Sequence, residues 1–235
     1  MKDIIIALDF ENAKITLDFL SQFVGRKPFV KIGMELFYSE GNNIVQKLKA
    51  QGFKIFLDLK LHDIPNTVKK AMTSLSKLDV DMVNVHSAGG IEMMKAAKEG
   101  LTRKDGSRPL LIAVTQLTST SQEMMQNELL IEKNINETIV HYAKNTLAAG
   151  LDGVVCSPLE TEIIKQNCGE KFLTITPGIR LENSGKDDQV RITTPAMAAK
   201  LGSDFIVIGR PITQAENPVE VYEKCSKEFN MNFEK

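Results

Sequence analysis

Short apolar runs recur along this chain, each followed by a stretch with helical spacing, and this alternation limits the fold more than any other feature. The runs lie at residues 3–9, 29–33, 55–60, 81–86, 110–115, 152–156, 172–176 and 204–208. Between them, apolar residues fall three and four apart. Ile15, Phe19, Leu20 and Phe23 do so within 12–24; Ile44, Val45 and Leu48 do so before Gly52; Ala71, Met72 and Leu75 do so within 68–78. Helical stretches at 91–101, 135–149, 159–166, 196–201 and 219–229 continue the series, and 122–130 reads as an extra polar helix. Strands that alternate with helices imply a parallel sheet. Eight such units in 235 residues predict a closed (β/α)8 TIM barrel, one α/β domain over residues 1–235, near the roughly 250 residues usual for that fold. An open doubly wound sheet fits less well, because Asp9-Phe10-Glu11-Asn12 stands where its G-x-G-x-x-G turn would be.

Composition excludes several function classes. A net charge of -1 supports neither a nucleic-acid surface nor a polybasic membrane surface. The apolar run 4–8 is too short for a signal peptide and ends at Asp9. No run approaches the roughly 18 apolar residues of a membrane span. Cys156, Cys168 and Cys225 form no C-x-x-C pair, which fits a reducing, cytoplasmic setting.

The most informative stretch is 53–68, FKIFLDLKLHDIPNTV. Residues two apart on a strand share a face, so Asp58 and Lys60 point the same way from an otherwise apolar segment. Asp63 follows just past the strand, where Pro65 ends the ladder and can open a helix. A single D-x-K can be a structural ion pair, since a buried charge must be paired. A third charge of this kind, two carboxylates around one ammonium, points instead to an active site that shifts pKa values.

A barrel places function at the C-terminal ends of its strands. Asp9, Lys31, Asp58, Lys60, His86, Thr118, Pro177 and Arg210 all fall there. Asp9, Lys31, Asp58 and Lys60 come from three adjacent strands and alternate in sign, so they can form one charge network across the mouth. Phosphate often binds after strands seven and eight of a barrel. Gly209 permits close backbone approach at that place, and Arg210 offers a bidentate fork. The charged loop 179–194, with Arg180, Lys186, Gln189 and Arg191, can act as a lid over an anion. His86 reads as a structural residue rather than an acid/base or metal ligand, His62 as exposed, and Ser87-Ala-Gly-Gly90 as a tight turn.

The segment DLKLHDIPNT resembles the D-x-K-x-x-D-I-P-N-T signature of the orotidine 5'-monophosphate decarboxylase family, bacterial form. The similarity extends from ALD at Asp9 through VKIG, VTQLTS and TPGIR to IGRPIT around Arg210. It implies decarboxylation of orotidine 5'-monophosphate to uridine 5'-monophosphate, without cofactor or metal. By the same resemblance Lys60 protonates the carbon that loses carbon dioxide, and Asp58 lies against the departing carboxylate. Asp63 and Thr67 reach a neighbouring subunit's site, which implies a homodimer with shared active sites. Asp9 and Lys31 hold ribose hydroxyls, Thr118 and Pro177 lie at the substrate, and Gln189 bridges pyrimidine and phosphate. Arg180, Gly209 and Arg210 form the phosphate end. Two rival readings are a magnesium-dependent relative, 3-keto-L-gulonate 6-phosphate decarboxylase or hexulose-phosphate synthase, and a non-catalytic phosphate-binding barrel. The magnesium-dependent relatives carry Glu where this chain has Lys31.

Overall fold

The computed structural model describes residues 2–181 and 193–231. Eight parallel strands close into a barrel in chain order. They are β1 (Asp3–Ala7), β2 (Phe29–Ile32), β3 (Ile55–Leu61), β4 (Met82–His86), β5 (Leu110–Val114), β6 (Gly153–Val155), β7 (Leu173–Thr176) and β8 (Phe205–Ile208). The helices around them are α1 (Ala13–Ser21), α2 (Met34–Glu40), α3 (Asn42–Ala50), α4 (Pro65–Leu75), α5 (Gly90–Leu101), α6 (Gln122–Asn127), α7 (Ile135–Ala148), α8 (Thr161–Cys168), α9 (Pro195–Lys200), α10 (Arg210–Thr213) and α11 (Pro218–Phe229). The expected barrel is present, with two local differences. The helix expected over 44–52 is preceded by α2, and Gly41 at φ 61° breaks the two apart. The segment after β8, assigned to no helix from the sequence, winds into the single turn α10.

The strands read as unbroken apolar runs because both of their faces are buried. Ile4 and Ile6 pack outward on the helices, while Ile5 and Ala7 fill the barrel interior. Phe29, Phe56, Met82 and Phe205 occupy that interior, and the Phe29 and Phe205 rings meet edge-on with centroids 6.2 Å apart. Two residues further along the chain on β1 to β4, on the same face, the side chain becomes polar. Ala7 is followed by Asp9, Phe29 by Lys31, Phe56 by Asp58, and Met82 by Asn84. An apolar floor therefore carries a charged upper layer at the C-terminal mouth.

The opposite, N-terminal end repeats one device three times. Asp81, Asp152 and Asp204 each stand just before an even-numbered strand. Each carboxylate accepts a backbone N–H from the odd strand beside it: Ile55 to Asp81 at 2.8 Å, Leu111 to Asp152 at 2.7 Å, and Thr174 to Asp204 at 2.8 Å. The amide of each aspartate donates back to the carbonyl of that same residue, at 2.9, 2.9 and 3.1 Å. Each carboxylate also takes one cation: Lys49 at 2.9 Å, Arg108 at 2.5 Å and Lys165 at 2.6 Å. At the fourth strand pair the matching position before Phe29 is Pro28, and the Ile4 N–H goes to Asp3 Oδ1 instead, at 2.8 Å.

Candidate active site

Four charges form an unbroken chain across the mouth. Lys31 Nζ donates to Asp9 Oδ1 at 2.9 Å and stands 3.4 Å from Asp58 Oδ2. Lys60 Nζ reaches the other oxygen, Asp58 Oδ1, at 2.8 Å. Lys31 and Asp58 are 9% and 7% exposed, so both charges are nearly desolvated and depend on each other. Burial alone would push the Asp58 carboxyl up. The Lys31 and Lys60 ammoniums, with hydrogen bonds from Lys60 and Asn84, hold it below the usual carboxylate range. Burial would likewise lower Lys31, and Asp58 and Asp9 raise it above the usual lysine value. Both groups thus stay charged at neutral pH. The stability that Asp58 contributes is lost as pH falls through its depressed pKa; that of Lys31 is lost as pH rises through its elevated one.

The local backbone explains how Lys60 is aimed. Leu57 pairs with Val83 and Leu61 with Val85, so three residues of β3, Asp58 to Lys60, oppose the single residue Asn84 on β4. Lys60 takes up the excess with φ 53°, the left-handed region, which for a side chain of this kind costs roughly 1–2 kcal/mol. Gly33 makes room beside the network: a Cβ there would lie 2.9 Å from both Asp9 Oδ1 and Lys31 Nζ.

The four charges line one side of a cavity of about 450 Å³, within the range of small-molecule sites. Thr118, Pro177, Arg180, Gly209 and Arg210 line it as well, so these expected site residues converge with the charge network. Strands β1, β2, β3, β5, β6 and β8 contribute to its wall, as does Pro177 just past β7, whereas β4 contributes nothing. Gly209 lies under no steric demand from the protein. A Cβ there would meet Ala7 Cβ at 3.5 Å and Asp9 Oδ2 at 4.0 Å, both ordinary contacts and both from residues of the cavity wall. Arg180 is buried, donates to the Ile179 carbonyl at 2.9 Å, and sits where Ile179 bridges to Thr193 at the base of the charged loop. Gln189, Lys186 and Arg191 lie outside the described residues.

Asp63 and Thr67 do not join this group within one chain. Both are exposed, and Asp63 Oδ1 accepts the Ile64 amide at 2.6 Å. Within one chain Asp58 stands between two ammoniums, Lys31 and Lys60, and Lys31 stands between two carboxylates, Asp9 and Asp58, while Asp63 lies outside the cluster. His62 is exposed, as expected, and its ring lies 5.8 Å from that of His86. Burial, His62 and Lys60 all lower the pKa of His86, with Asp58 opposing. Ser87–Gly89 is a 3-10 turn outside the cavity wall. Among the described residues no three His, Cys, Asp or Glu side chains converge as a metal site, and no helix is long and apolar enough to cross a membrane.

A family model described as "Orotidine 5'-phosphate decarboxylase / HUMPS family" matches residues 2–225. The chain belongs to that family. Among curated proteins, the orotidine 5'-phosphate decarboxylase of Bacillus cytotoxicus is 58% identical over 231 residues, covering 97% of both chains. That of Bacillus cereus is 57% identical over the same span and coverage. Among solved structures, orotidine 5'-phosphate decarboxylase from Lactobacillus acidophilus superposes with a TM-score of 0.87 at 44% identity, covering 98% of this chain and 100% of that one. An uncharacterized conserved protein from Geobacillus kaustophilus superposes with a TM-score of 0.86 at 49% identity, covering 97% and 100%. Two residues beside the charge network are not singled out by the sequence: Gly33, the last residue of VKIG, and Asn84, which lies in none of the motifs named above. The one available cue for Asn84 is a polar residue inside the apolar run MVNVH, in phase with Met82.

Proposed function

We propose that the chain decarboxylates orotidine 5'-monophosphate to uridine 5'-monophosphate and carbon dioxide, the last step of de novo UMP biosynthesis. The carrying observation is the chain Asp9–Lys31–Asp58–Lys60, which presents the Lys60 ammonium to the cavity. When the bond to the carboxylate breaks, its electron pair stays on an sp² ring carbon with no conjugated sink. A fixed ammonium stabilises that charge and then delivers its proton to the same carbon. Asp58 lies against the departing carboxylate, Asp9 and Lys31 hold the ribose hydroxyls, and Thr118 and Pro177 border the pyrimidine. Arg180, Gly209 and Arg210 take the phosphate, and Gln189 bridges it to the pyrimidine. The binding energy of that remote phosphate organises the site, so its loss lowers kcat as well as raising KM.

In this reading the reaction needs no cofactor or metal and runs in the cytoplasm. The enzyme is a homodimer in which Asp63 and Thr67, exposed at the mouth, complete the partner's site. Lys31 favours this reading over a magnesium-dependent relative, because an ammonium held between Asp9 and Asp58 repels a divalent cation.

Absorbance of orotidine 5'-monophosphate, followed with purified protein and excess EDTA, tests the proposal. Loss of the orotate chromophore with uridine 5'-monophosphate as product is expected. Turnover only after magnesium is added would overturn it in favour of the metal-dependent relatives, and nucleotide binding without turnover in favour of a binding protein. For the shared site, mixed Asp63→Ala and Lys60→Ala chains should regain activity as heterodimers; verified heterodimers without activity would exclude it.

A further inference from the structure

β4 sends no residue to the cavity wall, yet it carries a residue bonded to both members of the catalytic pair. Asn84 is 1% exposed. Its Nδ2 donates to Asp58 Oδ1 at 2.7 Å, and its Oδ1 accepts the Lys60 backbone N–H at 2.8 Å. Asp58 Oδ1 is the same oxygen that receives Lys60 Nζ. One amide therefore binds both ends of the three-residue excess in β3. Its acceptor holds the Lys60 backbone in the left-handed region. Its donor holds the carboxylate that Lys60 Nζ must meet.

We infer that Asn84 is a positioning residue for the reaction, setting the Lys60 ammonium by clamping the Asp58–Lys60 bulge from outside the cavity. This rests on the decarboxylase reading above. No other side chain could do the same work as simply. The bulge leaves the Lys60 amide without a strand partner, and a buried amide N–H needs an acceptor. The carboxylate of Asp58 meanwhile needs a donor that is not itself a charge. Asparagine supplies one acceptor and one donor from a single planar group. The titratable neighbours of this group are Asp58 and Lys60 on β3, Lys31 on β2, and His86 two residues along β4.

The test compares Asn84→Asp and Asn84→Leu with the wild-type chain. When protonated, the carboxyl of Asn84→Asp has the shape and hydrogen-bonding pattern of the amide: its O–H donates to Asp58 and its carbonyl accepts from Lys60. When ionised, it opposes Asp58 and the donor is gone. The like charge places that ionisation above the usual carboxylate range. Asn84→Asp is therefore expected to turn over well at low pH and to lose kcat as pH rises, a fall absent from the wild-type profile. Asn84→Leu keeps the volume but neither hydrogen bond, and its kcat should drop about a hundredfold at every pH, the scale of a displaced catalytic group. In both variants KM for the nucleotide should change little.

Parallel pH profiles for Asn84→Asp and wild type would overturn the inference, and so would near-normal kcat in Asn84→Leu. A loss in both variants that follows unfolding by circular dichroism at every pH would also overturn it, in favour of a purely structural role. If the wild type itself does not decarboxylate the nucleotide, the functional reading fails. Unaffected Asn84 variants beside an active wild type refute the positioning role alone.

Discussion

The two ends of the barrel use the same residue types to different effect. At the N-terminal end, Asp81, Asp152 and Asp204 each hold one cation, but each is also tied to a backbone amide of the neighbouring strand. At the C-terminal end, Asp58 is held by Lys31, Lys60 and the Asn84 side chain. Among the described residues no backbone amide reaches it. A carboxylate anchored in the ladder is part of the fold, and its loss is felt as stability. A carboxylate held by other side chains at a cavity keeps its charge free to act on a bound molecule. The partner of the carboxylate, backbone or side chain, therefore separates scaffold from chemistry.

Substitutions at the two ends test this contrast. The largest effect is expected from Lys60→Ala, which should lower turnover by at least about a thousandfold, the combined loss of a proton donor and an electrostatic stabiliser. Its melting temperature should hardly move; a variant that unfolds early would place Lys60 in the scaffold. Asp204→Asn should do the reverse. It leaves Lys165, itself buried, without its counter-charge and should cost about 3 kcal/mol in urea unfolding, with kcat intact. An unchanged unfolding midpoint would remove the basis of the comparison.

Arg210→Ala should cost about 2 kcal/mol in kcat/KM, the scale of a charged hydrogen bond left unmade. Steady-state kinetics that match the wild type would take Arg210 out of the phosphate end. The smallest effect is expected from Gly33→Ala. Its Cβ must displace the Asp9 and Lys31 head groups, at about 1 kcal/mol. If the charge network is functional, this appears as a few-fold drop in kcat/KM; a change confined to unfolding would mark the Asp9–Lys31 contact as scaffold.

The sequence showed the barrel clearly, because two buried faces make every strand an apolar run and each helix carries its own spacing. It showed Asp9, Lys31, Asp58 and Lys60 equally well, since a charge inside an apolar strand is conspicuous. Their alternation in sign already implied one network with Lys31 beside Asp58; the bulge that aims Lys60 was hidden, because contacts between strands depend on register, and β3 shifts register there. Asn84 was hidden for the same reason: an uncharged polar residue stands out only once the gap it fills is known. Gly33 reads as a strand end until the space that its missing side chain leaves is seen. α2 escaped because seven residues, MELFYSE, carry too little periodicity to separate from the helix after them.

The aspartate clamps join strands two by two, β3 with β4, β5 with β6, and β7 with β8, and skip the junctions between these pairs. This has a consequence for dividing the chain. Opening it in the connection at 102–107, between α5 and β5, leaves each clamp whole within one fragment. Opening it at 76–80, between α4 and β4, parts Asp81 from the Ile55 amide. Two co-expressed pieces should reassemble more readily from the first cut than from the second, because the unit of construction is a pair of struts and not a single one.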